Sequence, residues 1–195
     1  MARRAGPSLD RTAVIAAAAE LADREGLGGV TLATVAVRLG VQTPSLYNHV
    51  AGLPGLRRAL ALLGLRELGQ RMGRAAVGKA GASALEAIAH AYRGYAHEHP
   101  GVYLAAQQVP ANGDAAWEAA GAEVVGIVLA VLAGYDLEGD DALHATRGLR
   151  SLLHGFVSLE TGGGFGLPLD LDESFRRLLQ VFMAGLRPLI LTTTH

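Results

Sequence analysis

Apolar residues recur along this chain at intervals of three and four, and no stretch alternates apolar with polar as a half-buried strand does. Breakers cut the pattern into helices. Ser8 or Asp10 can cap a first helix running to about Glu25, with Val14, Ile15, Ala18, Leu21 and Ala22 as its inner stripe. Its acidic residues Glu20, Asp23 and Glu25 are expected to face solvent, and Gly26, Gly28 and Gly29 end it. Thr31 caps a short second helix whose Leu32, Val35, Ala36 and Leu39 share one face; Gly40 stops it. Val41 fills the space before a third helix, which Thr43 is expected to cap and in which Pro44 takes a first-turn position where an amide hydrogen has no partner. Leu46 and Val50 lie four apart and turn inward, which leaves Ser45, Tyr47, Asn48 and His49 on or near the outer surface.

A long helix then starts at Leu53 or Pro54 and continues to about Arg74. Further segments are expected from Ser83 to Glu98, ended by Pro100 and Gly101; from Val102 to Gln108, ended by Pro110; and from a cap at Asp114 to about Gly134. Another starts at Asp140 or Asp141 and reaches about Thr161, the run GGGFGLP breaks the chain, and Asp170 or Asp172 caps a last helix to Leu186. The expectation is an all-α protein of about nine helices: a three-helix head over residues 1–52 and a larger helical body over 53–195. The most apolar run, VVGIVLAVLAG from Val124 to Gly134, is bounded by Glu123 and Asp136, is too short to span a bilayer, and reads as a helix buried on all sides.

Composition supports close helix packing. Half of the 195 residues are apolar but only 5% are aromatic, so alanine, leucine and valine must make the core. The net charge of −1 hides an asymmetry: residues 1–74 hold 10 Lys and Arg against 5 Asp and Glu, and residues 75–195 hold 7 against 13. The basic end is the one with the helix-turn-helix pattern, as phosphate binding requires. There are no cysteines, which excludes disulfides, thiol catalysis and thiolate-bound metals. Arg3 and Arg4 are followed at once by Gly6 and Pro7, unlike a signal peptide, and a cytoplasmic protein with no membrane partner is expected.

Enzyme chemistry finds little to work with. His97 and His99 are two apart on a helix and diverge, with no third ligand in reach of the pattern, so no metal is expected. GGGFG at Gly162 to Gly166 lacks the preceding strand of a nucleotide-binding loop. No nucleophile stands beside a base, so no catalytic residue and no cofactor are assigned.

With its tight GV turn followed by LYNHV, the chain resembles the tetracycline-repressor (TetR) family over residues from about 9 to 60. Trp117 and the pair His154-Gly155 are placed as in a subgroup of that family whose C-terminal domain is marked by W, H and G positions. The resemblance implies a one-component transcriptional regulator, normally a repressor, that binds double-stranded DNA at a near-palindromic operator and leaves it when a small-molecule effector binds. It also implies a homodimer joined through the last two long helices, where Gly148, Gly155 and Ala184 allow close approach. Base contacts are expected from Gln42, Thr43, Ser45, Tyr47, Asn48 and His49, with Pro44 against a thymine methyl. Thr31, Tyr47 and His49 are also candidates for phosphate, and Arg3 and Arg4 for the minor groove. The ligand candidates are Tyr92, Tyr95, Tyr103, Gln107, Trp117, His154 and Phe156, an apolar set with a few hydrogen-bonding groups. One departure matters: Leu53 stands where the family usually has a phosphate-gripping lysine, and Arg57 or Arg58 one turn later are the substitutes. The alternative is a helical small-molecule-binding or scaffold protein that has lost specific DNA binding.

Overall fold

The structure, a computed structural model, describes residues 9–108 and 113–186. Among these the chain forms nine α-helices and no strand: α1 Arg11–Glu25, α2 Leu32–Leu39, α3 Thr43–Leu46, α4 Gly52–Ala76, α5 Gly81–Glu98, α6 Pro100–Ala106, α7 Ala115–Leu132, α8 Gly139–Thr161 and α9 Leu171–Gly185. The all-α expectation holds. By packing, the chain forms two compact units, one from the residues up to Arg66 with Glu98–Glu118, the other from Glu67–His97 with the residues after Glu118.

The first unit is built on the head. Asp10 caps α1 by accepting the Ala13 N–H at 2.8 Å, and Thr31 and Thr34 exchange side-chain-to-backbone hydrogen bonds in a capping box that opens α2. Gly40 ends α2 in the left-handed region at φ 67°, where a side chain is strained. The core joins Val14, Ala18 and Leu21 of α1 to Val35 of α2, Leu46 of α3, Leu56 and Leu60 of α4, and Ala105 of α6. Packing therefore carries the head beyond residue 52, into the start of α4 and the whole of α6.

Four expectations need correction. Thr43 is not the cap of α3: Gln42 is, without a side-chain cap bond, and Thr43 and Pro44 lie inside the first turn. Asp23 does not face solvent; it is partly buried and bonds to the start of α6. Pro100 and Gly101 do not merely separate two segments, since they form the first turn of α6, where the missing proline N–H costs nothing. The fourth concerns α7, which from Ala119 onward belongs to the second unit. It rests Val124 and Ile127 over Gly69 and Gly73 of α4, and of its residues only Ala120, Val128, Val131 and Leu132 are buried. Val125 and much of the remaining apolar surface stay open. The apolar helix also extends well beyond Val124 to Gly134, and by length and composition alone it is long enough to cross a membrane.

Elsewhere in the second unit, Leu85 and Ile88 of α5, Leu149 and Leu153 of α8, and Phe175 and Leu179 of α9 are buried. Arg93 of α5 lies over the rings of Phe156 and Phe175, 5.4 and 4.9 Å from their centroids. Its guanidinium donates to Glu160 of α8 and to Asp172 of α9. Asp170 caps α9 by accepting the Asp172 N–H at 2.8 Å.

Candidate nucleic-acid interface

The end of the helix-turn-helix is organised by what it buries. Leu46 is fully buried and Val50 nearly so, and the backbone continues past α3 as hydrogen-bonded turns, with His49 and Val50 N–H both donating to the Leu46 carbonyl. These two anchors fix the residues between them. Tyr47 is 61% exposed although it is a large aromatic, Asn48 and Pro44 are exposed, and Ser45, His49 and Thr43 are half-buried at the margin. Gln42, also exposed, keeps its amide free of any capping bond. The result is a short row of hydrogen-bonding groups on a rigid apolar base, the arrangement that base-edge readout uses.

The flanking residues sort by partner. Thr31 is exposed, and its hydroxyl oxygen accepts the Thr34 N–H at 3.1 Å. Arg38 of α2 is paired with Glu20 of α1. Of the two arginines expected to replace the absent lysine, Arg58 donates to both carboxylate oxygens of Asp114, which itself accepts the Trp117 N–H at the start of α7. That pairing holds the Asp114 carboxyl below its ordinary range. Arg57 is exposed and has no partner among the described residues, so the structure distinguishes two adjacent arginines that the sequence cannot. Arg3 and Arg4 lie outside the described residues.

The seven ligand candidates divide between the units. Tyr103, Gln107 and Trp117 belong to the first, and Tyr92, Tyr95, His154 and Phe156 to the second. Tyr95 is buried and its hydroxyl donates to Glu67 at 2.9 Å. Phe156 packs against Phe165 and Phe175 with ring centroids 5.0 and 4.9 Å away. Trp117 is distinctive because its indole Nε1 is buried with no hydrogen-bond partner among the described residues. A cavity of about 370 Å³ in the second unit is lined instead by Lys79 and by small and aliphatic residues including Gly73, Ala84, Ile127 and Val131, and none of the seven lines it. His97 and His99 do not converge: His97 meets Glu160 and His99 meets Asp23.

Comparison with known proteins agrees with this geometry. Residues 14–49 match the family described as bacterial regulatory proteins, tetR family, and residues 85–182 match the tetracyclin repressor-like C-terminal domain. An uncharacterized HTH-type transcriptional regulator of Bacillus subtilis (strain 168), YobS, is 41% identical over 180 residues, which cover 91% of this chain and 93% of that one. Rv0681 of Mycobacterium tuberculosis (strain ATCC 25618 / H37Rv), described in the same words, is 37% identical over 188 residues, 96% and 84% of the two chains. Among solved structures, a variant of TetR from Acinetobacter baumannii AYE in complex with minocycline shares the fold at a TM-score of 0.68 and 24% identity, over 91% of this chain and 96% of that one. With both halves matched and the helix-turn-helix intact, the chain belongs to the tetracycline-repressor family and is a transcriptional regulator with an N-terminal DNA-binding domain and a C-terminal ligand-binding domain, not an enzyme.

Proposed function

We propose that the protein is a repressor that binds a near-palindromic operator as a homodimer and is released by a small-molecule effector. The observation that carries this reading is the exposed row Gln42, Pro44, Tyr47 and Asn48, held by a core that buries Leu46 and Val50. A solvated helix face is normally lysine and glutamate, and a polar-aromatic row without them is suited to base edges and phosphates. Asn48 reads adenine, Gln42, Thr43, Ser45 and His49 make further contacts, and Thr31, Tyr47 and Arg57 hold phosphate. Arg57 takes the task of the lysine that Leu53 replaces. DNA reading thus belongs to residues 1–52 with Arg57, and effector binding and dimerisation to residues 53–195. Regulators of this type are typically cytoplasmic, where such an operator lies.

The family forms dimers, and α8 and α9 supply the contact proposed here. Leu143, Leu159 and Val181 on these helices are 43, 51 and 72% exposed, more apolar surface than an isolated chain gains from showing. In the body, Tyr92, Tyr95, Tyr103, Gln107, Trp117, His154 and Phe156 are the effector candidates. Trp117 gives the most specific support: an unpaired buried indole N–H is costly, and an effector oxygen accepting from it removes that cost.

Selection from a random duplex pool by the purified protein tests the reading. Recovery of a palindrome, bound with a steep dependence on salt, is the expected result. A folded protein that enriches no sequence, even after unfolding and refolding to strip any bound small molecule, would favour the scaffold alternative and overturn the repressor.

A further inference from the structure

We infer that the cavity at the end of α4, the start of α5 and the last turns of α7 binds a saturated aliphatic monocarboxylate of about eight to ten carbons, its chain inside and its carboxylate at Lys79. None of the seven effector candidates lines this site, and the inference does not rest on the operator binding proposed above.

The cavity exists because the residues around it are small. A Cβ on Gly73 would lie 3.6 Å from Ile127 Cδ1, and one on Gly134 would lie 3.4 Å from the Gly81 nitrogen, so α7 and the turn after it close on both α4 and the start of α5. Within that frame Ala76, Ala80, Ala84 and Ala130 supply a single methyl each where leucine would fill the space, and about 370 Å³ stays open. All of these residues belong to the second unit. Lys79, Ala80 and Ala130 are exposed while Ala84 and Val131 are buried, which gives the cavity a solvent mouth and an apolar floor. At about 30 Å³ per water-sized group, the volume holds roughly ten to twelve non-hydrogen atoms, the size of octanoate or decanoate. No aromatic ring is among the described residues that line it, and the aliphatic wall of Val77, Ile127 and Val131 suits a flexible chain better than a planar ligand.

Charge at the mouth selects the head of the ligand. Residues 73–84 contain two charged side chains, Arg74 and Lys79, and residues 127–134 contain none, although the chain beyond residue 74 is acidic as a whole. Lys79 lines the cavity, and its ammonium donates to the Ala75 carbonyl at 3.0 Å, which leaves two further N–H groups for a carboxylate. That bond, with the one from the Lys79 backbone N–H to the Ala76 carbonyl, occupies the end of α4, where open carbonyls would repel an anion. The lining also takes in Ala80 and Gly81, where α5 begins and negative charge is favoured. A purely apolar ligand has no use for a cation at the mouth, and a small anion has no use for the aliphatic floor. A chain that ends in a carboxylate uses both.

The test titrates the full-length protein, without DNA, with sodium octanoate in a calorimeter. Octanoate should bind one site per chain with a Kd below about 1 mM. Each methylene added from hexanoate to octanoate should tighten binding about threefold, and the gain should stop beyond decanoate, when the cavity is full. Octylamine, which sets an ammonium against Lys79, should bind about fivefold more weakly than octanoate. Lys79→Gln should weaken octanoate by about the same factor and leave 1-octanol unchanged. Ala130→Leu fills part of the cavity and should abolish binding of both. Failure to bind octanoate, equal binding of octanoate and octylamine, or a gain that continues past dodecanoate overturns the inference, the last two because they mark adsorption to open apolar surface. Should Ala130→Leu fail to fold, Lys79→Gln decides, since it changes an exposed side chain: a loss confined to octanoate supports the site, and no loss overturns it. Octanoate binding that Trp117→Phe removes and Ala130→Leu keeps moves the ligand to the effector candidates, which overturns this assignment while the repressor reading stands. Because no DNA enters the titrations, a failure of the operator selection leaves their result unchanged.

Discussion

In the first unit each helix of the head closes on one shared core, whereas in the second the most apolar helix of the chain, α7, buries only part of its surface. Leu46 and Leu56 are completely buried, while Val125 on α7, Leu159 on α8 and Val181 on α9 remain open. The difference separates two tasks. A head that reads bases through Asn48 and Tyr47, as proposed, must hold them within hydrogen-bond tolerance, which a complete core provides. The body of a dimeric regulator keeps apolar surface that one chain alone has no use for.

Breaking the closed side has the largest expected effect. Leu46→Ala leaves a cavity in the core shared by α1, α2 and α4, and should cost about 3 kcal/mol of stability, within the range for buried leucine truncation. Urea unfolding measures this directly, and DNA binding should fall with it because the recognition row loses its anchor. A loss below about 1 kcal/mol would mean that the head is not packed as described.

The open side should respond in the opposite manner. Val181→Glu places a charge on a surface already exposed in the single chain, so the fold of the monomer should be unaffected. If α9 lies in the dimer contact, burying that charge weakens association by about a hundredfold, on the order of 2.7 kcal/mol, and sedimentation should show monomers at micromolar concentration. A Val181→Glu protein that stays dimeric places the contact elsewhere, and the open face of α7 becomes the next surface to change.

The same contrast explains what was legible in the sequence. Local signals were: the helices follow from threes and fours, Thr31 caps where its residue type requires, the structure takes Asp10 over Ser8 and Asp170 over Asp172 from the pairs the residue types offer, and Gly40 marks the turn before the recognition row. The exposure of Tyr47 and Asn48 followed from the inward pair Leu46 and Val50. Everything that depends on distant partners was not legible. Asp23 looks like any charged residue near a helix end until α6 is folded against it, and nothing in RR distinguishes Arg57 from Arg58 before Asp114 arrives. The burial of α7 failed for a related reason: hydropathy records that alanine, valine and glycine do not need water, but not which other element covers them. One residue separates Thr43 from Gln42 as the cap, and Pro44 fits the first turn in either register.

The smallest expected effect concerns a charged cluster on a closed part of the second unit. Arg93 and Glu160 are 12 and 8% exposed, and the guanidinium, with a smaller contribution from His97, holds the Glu160 carboxyl below its ordinary range. Because the folded value lies below the unfolded one near 4.3, the pairing contributes stability that is present above that value and is lost as pH falls through the depressed folded one. Glu160→Gln should therefore destabilise by about 1–2 kcal/mol at pH 6, with Arg93 still held by Asp172, and the gap from wild type should narrow as pH falls toward 3. Glu173 is the contrasting case. Arg176 and Arg177 push its carboxyl down to about 2, but all three side chains are in contact with solvent, where screening removes most of the benefit. Unfolding curves of Glu160→Gln and Glu173→Gln across pH 3 to 7 should diverge accordingly. Equal losses at the two sites would mean that the Arg93 cluster is as solvated as the surface of α9.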